Sequence, residues 1–158
     1  MIKSLLIARA FSILLITNLF GQQEEADILE ESNEAVNIRI MFWNVENLFD
    51  PFDDSLTRDE EFTSQGIYGW TWSRFNRKLN NIYKVIISGG FDPPDIIGLA
   101  EIENRWVLER LTHETPLSKF EYSIVHNDSP DVRGIDVALL YLKDSFRPID
   151  KSFIPVSG

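Results

Sequence analysis

Residues 95–104 read Asp95-Ile-Ile-Gly-Leu-Ala-Glu-Ile-Glu-Asn104 and follow the turn Phe91-Asp-Pro-Pro94. The run through Ile96, Ile97, Leu99 and Ala100 is apolar, and two carboxylates, Glu101 and Glu103, stand where it stops. A short apolar run released from a proline turn predicts a strand buried on both faces, because it lacks the alternating polar positions of a wet face. In an open α/β sheet, ligands gather beyond the carboxyl ends of the strands. Glu101 falls where a hard cation or a reacting group would be held. Taken by itself, the stretch is better read as a strand followed by its first solvated residue; the flanking sequence shifts that balance.

Upstream, Ile38, Ile40 and Phe42 alternate with Arg39, Met41 and Trp43. This predicts a strand over 38–45 with both faces largely covered, and Asn44 and Glu46 come at its carboxyl end. Residues 46–69 are acidic and show little periodicity. A loop of that length in a compact domain is usually functional or disordered. Residues 70–88 predict a helix that Thr71 can cap. Phe75, Leu79, Ile82, Tyr83 and Ile86 share one face, and Gly89-Gly90 supplies the stop. Arg74, Arg77, Lys78 and Lys84 lie elsewhere on it and read as a solvated side. Strand, helix and strand form a βαβ unit, so the strands should be parallel and the crossover right-handed. That geometry brings Asn44 and Glu101, 57 positions apart, to one sheet edge.

Downstream, Asn104 can cap a helix over 105–112 whose apolar residues are Trp106, Leu108 and Leu111. Residues 121–126 and 135–142 read as antiparallel strands joined by the polar loop 127–134. Residues 153–158 have strand character. Glu103 reads as a solvated residue before the helix cap and Glu46 as a residue that orders its loop. His126 reads as a strand-end residue, and His113 as a surface histidine at a helix end.

The 158 residues, 44% apolar and 12% aromatic, suffice for one domain with a core. Without cysteine, disulfides, thiolate metal sites and a lipid-modified N-terminal cysteine are excluded. The net charge of −10 opposes non-specific nucleic-acid binding, so a nuclease of this composition would need divalent cations to approach its substrate. Lys3 and Arg9 precede the apolar stretch 10–20 and the small residue Gly21. This pattern predicts a signal peptide over 1–21 and export to the periplasm or exterior. The stretch is short of the ~20 residues of a stable membrane span. Cleavage removes two bases and no acid, leaving −12. Residues 22–35 read as an acidic linker, and the folded part as 36–158.

Four segments carry a resemblance: Phe42-Trp-Asn-Val-Glu-Asn-Leu-Phe49, the helix opened by Trp70, Gly98-Leu-Ala-Glu-Ile-Glu-Asn104, and His126-Asn-Asp-Ser-Pro-Asp-Val-Arg-Gly-Ile-Asp-Val-Ala138. In this order and spacing they resemble the endonuclease/exonuclease/phosphatase superfamily, the deoxyribonuclease I-like fold, over roughly 36–158. The resemblance implies an α/β fold: the first half of a four-layer α/β-sandwich, a mixed sheet with flanking helices. It implies a Mg²⁺- or Mn²⁺-dependent phosphoric ester hydrolase acting on a phosphodiester or phosphomonoester, nucleic acid among the candidates. Glu101 is similar to the family's Mg²⁺-ligating Glu. Asn44 is similar to its first-strand Asn, which helps hold phosphate and the metal-binding carboxylate, and both enter the expected metal site. Arg133, which could meet a phosphate with its planar fork, and Asp136, which can pin the loop, fall in a segment beside the family's active site. The family's later Asp-x-Asn segment and Asp-His pair have no match after Gly134, and neither His113 nor His126 replaces them. The expectation is therefore a front half, inactive alone, with an uncovered apolar sheet face. A fragment, a split or frameshifted gene and a degraded copy are the open origins, and a non-catalytic exported acidic binding module is the alternative function. Substrate identity and oligomeric state are beyond this reading.

Overall fold

The computed structural model describes residues 37–55, 57–90 and 92–154. The expected signal peptide and the whole of the expected acidic linker lie outside the described residues. Among the described residues four strands form one sheet: β1 (Ile40–Leu48), β2 (Ile96–Ile102), β3 (Tyr122–His126) and β4 (Asp136–Leu142), in the order β1-β2-β4-β3. The β1–β2 pair is parallel; β2–β4 and β3–β4 are antiparallel. The sheet is mixed, as expected. Helix α1 (Trp72–Ile87) joins the parallel pair, and α2 (Arg105–Glu114) follows β2. Short 3₁₀ turns occupy Glu60–Phe62 and Pro116–Phe120.

Each helix starts where its sequence provides a cap. The Thr71 side chain accepts from the Arg74 N–H, and the Asn104 side chain from the Val107 N–H. Helix α1 buries Phe75, Leu79, Ile82 and Ile86, which recur at helical spacing; α2 buries Val107, Leu108 and Leu111. These residues form one core with Val45, Leu48, Ile97, Leu99, Ile102, Ala138 and Leu140 of the sheet.

The other sheet face corrects the expectation of two covered faces. Ile40 and Phe42 are 71% and 73% exposed, and Val137 is exposed as well. Alternation explains the division: Met41, Trp43 and Val45 turn to the core, so Ile40, Phe42 and Asn44 turn away from it. The apolar run of β2 divides likewise, with Ile97 and Leu99 fully buried and Ile96, Gly98 and Ala100 only half-buried. The Phe42 ring packs against Gly98, where a Cβ would come within 2.8 Å of it. An apolar open face is the finding that matches the expected uncovered sheet. Residues 153–154, expected as the start of a strand, are irregular, and 155–158 lie outside the described residues.

Candidate active site

A bulge sets the site. Strict alternation along β2 would turn Glu101 to the side of Ile97 and Leu99, into the core. Ala100 pairs with Val137 and Ile102 with Asp136, so two residue steps on β2 meet one on β4. The extra residue is Glu101, at φ 63°. A left-handed residue inserted in a ladder re-aims its side chain. Glu101 emerges beside Asn44 on the open face, and Ile102 returns to the core. The expected meeting of the two residues is observed: Asn44 Nδ2 donates to Glu101 Oε1 at 2.8 Å. The Asn44 amide is oriented by its other end, since Oδ1 accepts the Glu46 N–H at 2.8 Å.

The second carboxylate oxygen is served by backbone. Asn47 N–H donates to Glu101 Oε2 at 3.0 Å. Glu46 and Asn47 are both left-handed, at φ 59° and 64°, and the Glu46 carbonyl accepts from Lys78 Nζ at 3.0 Å. Lys78 thus departs from the expected solvated side of α1. Burial lowers its ammonium below the usual lysine range, while the charges of Glu46 and Glu101 pull it back up. Glu46 behaves as a loop-ordering residue, through its backbone.

Asn44, Ala100 and Glu101 line an open cleft of about 510 Å³ with Ser129, Pro130, Asp131 and Asp136. Asp136 Oδ1 accepts the Ser129 N–H at 2.8 Å, which pins the loop that forms one wall. Its Oδ2 lies 2.9 Å from His126 Nε2, and both side chains are buried. His126 is therefore a strand-end residue with a structural partner. Arg133 is not among the residues lining the cleft, and its fork is taken by Asp131, through Nε at 3.2 Å and Nη2 at 3.0 Å. His113 is exposed in the last turn of α2, as expected.

Glu103 corrects its reading as a solvated residue: it is 6% exposed. The end of β2 drives it under the loop after β1, where its Oε2 accepts the Asp50 N–H at 2.6 Å and its Oε1 has no partner among the described residues. Burial raises its carboxyl to about 8, the Asp50 N–H opposes that rise, and the charges of Asp50, Asp59 and Asp54 add to it. Nothing in the local sequence marks this burial, because the covering backbone comes from 53 positions away.

Residues 39–156 match the family model described as Endonuclease/Exonuclease/phosphatase family. The chain belongs to the endonuclease/exonuclease/phosphatase family. No curated protein and no solved structure matches it. Membership supports a hydrolase of that superfamily, whose members typically depend on a divalent metal. Glu101 fits such an ion. It offers hard carboxylate oxygens, each already oriented by one N–H donor, and among the described residues no Lys or Arg forms an ion pair with it. A separate group, His126, Asp128 and Asp136, brings one potential ligand atom from each within 4.8 Å of one another. There the imidazole Nε2 is already committed to Asp136. No helix among the described residues is long and apolar enough to cross a membrane.

Proposed function

We propose that the chain is a Mg²⁺- or Mn²⁺-dependent phosphoester hydrolase of this family, with Glu101 as its metal-binding carboxylate. The observation that carries the reading is the bulge that turns Glu101 out of the core and aims two N–H donors at it. A carboxylate costs least when oriented before its ligand arrives, and both donors leave lone pairs of Glu101 free. When bound, the cation supplies Lewis-acid polarisation of a phosphoryl oxygen and offsets the chain's negative charge toward an anionic substrate. Asn44 orients Glu101. Asp136 acts one step away, by fixing the Ser129 wall of the cleft. Arg133 becomes available to a phosphate only if Asp131 releases it.

Neither of the two histidines lines the cleft, so no histidine of this chain draws the proton from an attacking water there. General-base catalysis contributes typically 10²–10⁴-fold. Hydrolysis by the chain alone is therefore slow. The same observation favours a second reading, a non-catalytic acidic module that binds a phosphoester. Export rests on Lys3, Arg9 and the apolar stretch 10–20.

The test is Mg²⁺- or Mn²⁺-dependent hydrolysis of bis-p-nitrophenyl phosphate, with Glu101→Gln and Asn44→Ala beside the wild type. A slow metal-dependent rate, abolished by Glu101→Gln and strongly lowered by Asn44→Ala, supports the enzyme. Metal-dependent binding of a phosphodiester without turnover supports the module. Turnover indifferent to Glu101→Gln contradicts the assignment.

A further inference from the structure

Glu46 holds a conformation that its residue type disfavours. Its φ of 59° is left-handed, and Asn47 follows at 64°. Asparagine bears that conformation with local hydrogen bonding; glutamate rarely does. Such residues persist only where the surroundings hold them. Here both polar groups of the Glu46 backbone are held by side chains from other parts of the fold. Asn44 Oδ1 accepts its N–H at 2.8 Å, and Lys78 Nζ, from α1, donates to its carbonyl at 3.0 Å.

That carbonyl and the Asn47 N–H belong to one peptide unit, which is planar and, in the absence of cis bonds here, trans. The two groups point in opposite directions along it. One end is gripped by Lys78; the other donates to Glu101 Oε2 at 3.0 Å. Turning the plane to release either bond releases the other. We propose that Lys78 is a positioning residue of the Glu101 site: by holding one end of the Glu46–Asn47 peptide it aims the other at the carboxylate. The spacing of α1 is consistent with this reach, because Lys78 follows buried Phe75 by three positions and precedes buried Ile82 by four, at the border of the core face. The geometry stands independently of any reaction; its bearing on metal binding rests on the reading of Glu101 above.

The experiment compares the full-length ¹⁵N-labelled chain with Lys78→Met, Lys78→Gln and Lys78→Arg, following amide hydrogen exchange. A hydrogen bond to a charged group is worth enough that its loss accelerates exchange by about tenfold or more. Lys78→Met should show that acceleration at Asn47 while Ile97 and Leu99 in β2 keep their protection. Lys78→Arg, which retains a cationic donor, should restore Asn47 to the wild-type rate, a rescue that a mere packing role for the lysine stem would not give. Lys78→Gln serves as the neutral variant if Lys78→Met does not fold. An unchanged Asn47 in the neutral variant, or an Asn47 equally fast in Lys78→Arg, overturns the proposal. A Mn²⁺ titration on the same samples separates the two readings. If no broadening reaches Glu101 in the wild type, the metal reading fails, while exchange at Asn47 still decides the role of Lys78.

Discussion

Replacing Glu103 by Gln should remove a specific pH dependence from the stability of the fold. The Gln oxygen can keep the bond from the Asp50 N–H, and its nitrogen occupies the position of the unpartnered Oε1, so the variant mimics the protonated acid. Glu103 has a carboxyl raised from 4.5 to about 8 by burial. An acid with a raised folded value binds its proton more tightly in the native state, so stability falls as pH rises between the two values. Each pH unit inside that window costs at most about 1.4 kcal/mol, so the loss between pH 5 and pH 8 is of the order of a few kcal/mol. The assay is urea unfolding followed by tryptophan fluorescence at several pH values in that range. Wild-type stability should fall relative to Glu103→Gln as pH rises, and the two curves should converge near pH 5. Parallel curves would refute the claim that Glu103 is buried without a compensating charge.

Leu99→Ala should cost roughly 2–5 kcal/mol in urea or thermal unfolding, because Leu99 is fully buried at the centre of the core; a cost under 1 kcal/mol would mean the sheet packs otherwise. Phe42→Ser should cost much less in the same assay, since Phe42 is mostly exposed on the open face; a loss as large as that of Leu99→Ala would show that face to be covered.

The elements were legible because their signals are local. The caps at Thr71 and Asn104, the α1 stripe and the apolar run of β2 each lie within one segment, and the βαβ order was enough to bring Asn44 to Glu101. What escaped the sequence depends on distant parts of the chain or on unfavourable backbone. The bulge at Glu101 uses a left-handed glutamate where a glycine would have announced it. The burial of Glu103 and the buried His126–Asp136 pair arise from contacts between segments, which periodicity does not report. Lys78 did leave a signal, its place at the border of the α1 stripe, but a basic residue there more often only solvates a helix. The reading of β1 as covered on both faces erred because alternation of large apolar residues shows which positions share a face, not whether anything packs on it.

The central claim is that Glu101, turned out by the bulge and held by Asn44 and Asn47, is where a divalent cation binds. Mn²⁺ titrated into the ¹⁵N-labelled chain tests this most directly, because a paramagnetic ion at an oxygen site broadens the amides nearest to it. At about millimolar Mn²⁺, the range of loose oxygen sites, the amides of Asn44, Asn47 and Ile102 should broaden first, and Glu101→Gln should abolish the effect. Broadening centred instead on His126, Asp128 and Asp136, and unchanged in Glu101→Gln, would contradict it.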